Sequence, residues 1–65
     1  MQIEVNGEVV ETAAATLTEL LAALGYENRK IATARNGDFV PERKRGTTEL
    51  APGDRIEIVA PRQGG

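Results

Sequence analysis

The hydrophobic pattern opens as a strand. Gln2-Ile3-Glu4-Val5 alternates polar and apolar residues, the period of a half-buried strand. Asn6-Gly7 follows, and both residue types tolerate positive φ, so the pair predicts a two-residue type I′ hairpin. The return strand runs from Glu8 to about Thr12. In this register Val5 faces Glu8, Glu4 faces Val9 and Ile3 faces Val10. Ile3, Val5 and Val10 then point to the core, and Val9 lies on the outer face beside Glu4. Thr16-Leu17-Thr18-Glu19 matches a capping box, in which the Thr16 hydroxyl accepts from the Glu19 N–H and the Glu19 carboxylate returns to the Thr16 N–H. Leu17, Leu20, Leu21 and Leu24 form one helical stripe, and Gly25 stands where a left-handed C-cap belongs. A helix this short is unstable alone in water and must lie on a sheet.

The second half repeats the strand signal. Ile31-Ala32-Thr33-Ala34-Arg35 reads as a third strand, Asn36-Gly37 as a second tight turn, and Asp38-Phe39-Val40 as a short strand stopped by Pro41. Glu42-Arg43-Lys44-Arg45-Gly46 reads as a polar, solvated loop, and Leu50 as a lone apolar anchor. Ala51-Pro52-Gly53-Asp54 fits a type II turn. The last strand, Arg55 to Ala60, alternates again: Ile56 and Ile58 face inward, and Arg55, Glu57 and Val59 face outward. Pro61 ends it. The order predicts an α+β domain over residues 1–60, a mixed four- to five-stranded sheet with one helix packed on one face, and a flexible tail over 61–65.

Composition narrows the function. The 65 residues include no Cys, His, Trp or Ser, and only one Tyr and one Phe. Disulfides, thiolate nucleophiles, Cys-based zinc sites, the commonest general base and serine triads are all excluded. No glycine-rich loop joins a strand to a helix, so no phosphate cradle is encoded. No apolar run approaches the ~20 residues of a membrane span, and the first residues lack a secretory signal, so a cytoplasmic protein without membrane contact is expected. The net charge of −2 argues against a dedicated nucleic-acid binder. The halves differ: residues 1–28 carry five acids and no Lys or Arg, and residues 29–65 carry all eight basic residues against five acids. Either separate acidic and basic faces or a mixed surface would satisfy this count.

One chemical group is left, the chain end. Gly64-Gly65 closes the sequence after an extended strand and a proline. An α-carboxylate is ionised at neutral pH, with a pKa of about 3.5, and is a weak nucleophile. Attack on the α-phosphate of ATP would convert it to an acyl-adenylate, from which a sulfur or amine nucleophile displaces AMP. Residues without Cβ allow close approach in a narrow channel. Five extended residues reach about 16 Å, enough to enter a buried site while the domain stays outside.

These features together resemble the ubiquitin-like β-grasp family, and within it the sulfur carriers of thiamine biosynthesis. The residues that carry the resemblance are Met1-Gln2-Ile3, Asn6-Gly7, Thr16 to Leu24, Ala34-x-Asn36, Val40-Pro41, Gly53-Asp54-Arg55-Ile56-Glu57-Ile58-Val59 and Gly64-Gly65. The pattern departs at one loop: the family often has Arg directly after Val-Pro and an aromatic residue three positions on, where this chain has Glu42 and Arg45. The resemblance implies a carrier, not an enzyme. A ubiquitin-activating-type adenylyltransferase would adenylate Gly65 with ATP. A persulfide donor, such as a cysteine desulfurase, would then supply sulfur for a thiocarboxylate, and thiazole synthase would receive it. It implies no cofactor bound by the chain itself, with ATP and persulfide used through partners. Gly65 would carry the group and Gly64 permit channel entry. Arg62 and Gln63 would line the channel mouth, and Val59, Arg55 and Val9 would dock partners from the outward sheet face. Sulfur carriers for molybdopterin or tRNA thiolation, a protein modifier, and a plain β-grasp binding module share the pattern and stay open at this level.

Overall fold

The computed structural model describes residues 1–26 and 30–61. Five strands form one sheet: β1 (Gln2–Val5), β2 (Glu8–Glu11), β3 (Ala32–Arg35), β4 (Asp38–Val40) and β5 (Arg55–Val59), in the spatial order β2-β1-β5-β3-β4. β1 and β5 run parallel, and every other pair is antiparallel. The sheet is therefore mixed, as expected, and the last strand inserts between the two hairpins. The β1–β2 register is the expected one, with Val5 opposite Glu8 and Ile3 opposite Val10. Both hairpins turn through Asn-Gly pairs with positive φ throughout: 51° and 86° at Asn6 and Gly7, and 51° and 88° at Asn36 and Gly37. A type I′ turn requires this at both central positions, which explains the residue choice.

The helix α1 spans Leu17–Ala23 and packs Leu17, Leu20 and Leu21 against Ile3, Ala14, Val40, Ile56 and Ile58. Leu24 is the C-cap and is 39% exposed, so the stripe buries three leucines rather than four. Gly25 has φ of +87°, and the Tyr26 N–H donates to the Leu21 carbonyl while the Gly25 N–H donates to that of Ala22. This is the Schellman pattern that ends helices at a left-handed residue. At the other end Thr16 Oγ1 accepts from the Glu19 N–H at 3.3 Å. The Glu19 carboxylate accepts from Ala15, not from Thr16, at 2.8 Å. Thr16 is fully extended and bridged to Glu49, which leaves the preceding N–H facing the carboxylate.

The segment read as a loop is a 3₁₀ helix, Glu42–Thr47. Arg45 explains its position. Its guanidinium donates to Thr33 Oγ1 at 3.2 Å and to the Ile31 carbonyl at 2.8 Å. Thr33, itself buried, donates to the Val40 carbonyl. Arg45 thus fastens the 3₁₀ helix to β3, and only Arg43 and Lys44 of the basic run are exposed.

Asp54 is a second structural charge that the turn signal did not reveal. It is 6% exposed and accepts from Arg35 Nε at 2.7 Å, Asn36 Nδ2 at 3.0 Å and the Ala51 N–H at 2.8 Å. Burial pushes its pKa up, but these hydrogen bonds and the Arg35 charge outweigh burial and hold it below the usual value. A lowered pKa contributes stability that is complete above about pH 4 and is lost as pH falls through the folded value. Asp54→Asn should therefore cost about 2 kcal/mol at neutral pH. Urea titrations of both proteins should show that gap closing below about pH 4; a gap independent of pH would contradict this role.

The charge halves separate only in part. Glu4, Glu8 and Glu11 lie on β1 and the β2 edge, so that side is acidic. No matching basic face arises among the described residues. Arg35 is paired with Asp54, Arg45 is turned onto β3, and Asp38, Glu42, Glu49 and Glu57 share the opposite half.

Candidate functional site

The four residues expected to handle the chemistry, Arg62, Gln63, Gly64 and Gly65, lie outside the described residues. The structure does define where they begin. β5 sits at the centre of the sheet and ends at Val59, followed by Ala60 and Pro61. Val59 is paired with Ala32 of β3, whereas the pairing with β1 stops at Ile56.

Alternation places Arg55, Glu57 and Val59 on the sheet face away from the helix, with Val59 64% exposed. Ala32 pairs with Val59, and Ala34 pairs with both Glu57 and Phe39. Opposed residues share a face, so Ala32, Ala34, Phe39 and Val59 form one apolar patch. Phe39, on the edge strand β4, is 69% exposed. With Thr33 and Glu57 these residues line a shallow depression of about 190 Å³. Phe39 was missed because Asp38-Phe39-Val40 is too short to show which way it alternates; pairing Val40 with Thr33 decides it.

The other two docking candidates occupy a different part of this face. Val9 lies opposite Glu4, and Glu4 opposite Arg55, which makes one row across the start of β5. Val59 is four residues further along, about 13 Å. The structure therefore joins Val59 to Phe39 and separates it from Val9 and Arg55. Among the described residues no group of three or more His, Cys, Asp or Glu side chains could hold a metal ion, and no helix is long and apolar enough to cross a membrane.

Comparison with known proteins decides the family. The sequence pattern of the ThiS family matches residues 1–65, the whole chain and both terminal glycines. The chain belongs to the ThiS family. Its mixed five-stranded sheet and helix are the β-grasp of that family. The crystal structure of the thiamine biosynthesis protein ThiS from Geobacter metallireducens superposes with a TM-score of 0.82 at 28% identity, covering all of both chains. The solution structure of a thiamine biosynthesis protein from the same organism gives 0.82 at 29% identity, covering all of this chain and 88% of that one. The chain is also 38% identical over 61 residues to a thiazole synthase of Paramagnetospirillum magneticum. That match takes in 92% of this ThiS-family chain and 19% of the synthase.

Proposed function

We propose that this chain delivers sulfur as a thiocarboxylate formed on Gly65. In the first step a carboxylate oxygen of Gly65 attacks the α-phosphorus of ATP, bound by a partner adenylyltransferase. The P–O bond to the β-phosphate breaks and pyrophosphate leaves. A persulfide sulfur then attacks the acyl carbon, and AMP leaves with the bonding pair. Reductive cleavage of the resulting S–S bond by a thiol leaves the terminal thiocarboxylate. Thiazole synthase takes the sulfur.

The observation that carries this reading is the ThiS-family match through Gly64-Gly65 in a chain with no Cys, His or Ser. With those side chains absent, the carboxylate is the group left to hold sulfur. A 61-residue stretch that resembles this chain lies within a protein named thiazole synthase, and this supports that enzyme as acceptor. Gly64 gives the partner's channel backbone without Cβ, and Arg62 and Gln63 meet the channel mouth. Val59 and Phe39 form the apolar contact at the root of the tail, and Arg55 and Val9, about 13 Å away, lie outside it.

Adenylation is read by exchange of labelled pyrophosphate into ATP. The cognate activating enzyme should catalyse that exchange only when this chain is added; no exchange with an enzyme active on another carrier would sink the proposal. Phe39→Ala should raise the KM for this chain about tenfold with little change in kcat, as removal of an exposed aromatic anchor does at an interface. An unchanged KM would place docking elsewhere.

A further inference from the structure

The two Asn-Gly turns share a second feature. Each asparagine side chain is bonded to the backbone of β5. β1 leaves β5 after Val5, and the Asn6 N–H makes the last backbone bond of that ladder, to the Ile56 carbonyl at 2.9 Å. In a continued parallel ladder the Ile58 N–H would next donate to the backbone carbonyl of residue 6. The hairpin turn carries that carbonyl away. Asn6 Oδ1 takes its place, accepting from the Ile58 N–H at 2.8 Å. Asn6 Nδ2 then donates to the Ile58 carbonyl at 3.1 Å, where the N–H of residue 8 would otherwise come. The side chain therefore prolongs the sheet by one repeat on the side where β1 has ended. Asn36 acts at the opposite end of β5, where its Oδ1 accepts from the Arg55 N–H at 2.8 Å.

The positions differ in consequence. Asn36 holds the start of β5, next to the Asp54 network. Asn6 holds Ile58, the residue before Val59-Ala60-Pro61, beyond which the reactive terminus lies. We propose that Asn6 is a positioning residue for sulfur transfer: its amide fixes the last β5 residue on the β1 side and so sets the line on which the tail leaves the domain. This rests on the sulfur-carrier reading. Reaction rates are sensitive to such alignment, and a misplacement of about 1 Å can cost about a hundredfold. The role also explains why position 6 carries Asn when Gly or Asp would serve the turn. Gly lacks both bonds, and Asp would lose the donor and set a carboxylate against the Ile58 carbonyl.

Asn6→Gly keeps the left-handed turn, since Gly accepts the φ of 51°. Asn6 lies on the wall of a cleft of about 360 Å³ shared with Val5, Glu8, Val10, Leu24 and Tyr26, so water reaches the vacated groups and the fold should survive. Kinetics with the cognate activating enzyme, well below the melting transition of every variant, make the test. For Asn6→Gly we expect kcat to fall about tenfold with KM within about twofold. Asn36→Gly, which loses bonds to both Arg55 and Asp54, should be at least as destabilised yet keep wild-type kcat. Asn6→Asp retains one bond and should fall between. Amide exchange of the free protein gives a second readout, with Ile58 protection reduced at least tenfold in Asn6→Gly. An unchanged kcat or unchanged Ile58 protection overturns the proposal, as does an equal loss of kcat in Asn36→Gly. Failure of the wild-type protein to be adenylated would instead remove the carrier reading beneath it.

Discussion

Deleting Gly65 should abolish thiocarboxylate formation and leave thermal stability within about 0.5 kcal/mol of the intact chain. Gly64→Val should do the same, because a β-branched residue adds bulk and narrows the backbone where the partner encloses the chain. Stability should hold because the described core is complete without the tail: its last member is Ile58, and β5 is paired on both sides up to that residue. Thermal denaturation and thiocarboxylate assays on the same preparations check both halves of this expectation. A melting temperature lowered by many degrees would make the glycines structural. Normal thiocarboxylate yield from Gly64→Val would remove the narrow-channel argument.

Leu20→Ala gives the opposite result, a stability defect with the reactive end intact. Leu20 is fully buried among Ile3, Ile56 and the rest of α1's inner face. Truncation loses the transfer free energy of its side chain and leaves a cavity, about 2–5 kcal/mol in total. A domain of this size has only a few to about ten kcal/mol to lose. The melting temperature should drop by at least about 10 °C, given about 4–8 °C per kcal/mol for small domains. Leu24→Ala, at the exposed cap, should cost less than about 1 kcal/mol. Urea denaturation of the two variants side by side checks the contrast. Equal losses would mean that the helix buries a different face.

These predictions draw unequally on the sequence. The strands, both turns, the helix start and the inward set Ile3, Leu17, Leu20, Leu21, Ile56 and Ile58 were legible because each depends on short-range periodicity or turn chemistry. Gly25 as a left-handed helix stop and Gly53 in a type II turn were readable for the same reason. What stayed hidden depends on partners distant in sequence. Arg45 reads as one more cation in a basic run until β3 supplies Thr33 and Ile31 to receive it. Asp54 reads as a turn residue until Arg35 and Asn36 converge on it. Asn6 and Asn36 are ordinary hairpin residues until β5 inserts between the hairpins and meets their amides, 52 and 19 residues away. Phe39 has no assignable face before the β3–β4 register is known. The candidate docking surface was therefore only half visible in Val59, whereas the terminal glycines, which lie outside the described residues, stand out by their place after the last strand.

Sulfur is proposed to travel on the Gly65 carboxylate. Intact-mass measurement after incubation with ATP, the cognate activating enzyme and a persulfide donor tests it most directly. The expected result is a gain equal to one oxygen replaced by one sulfur, with fragment ions placing the change on Gly65 and no gain when ATP is omitted. An unchanged mass with an enzyme shown to be active, or sulfur found on any other residue, would contradict it.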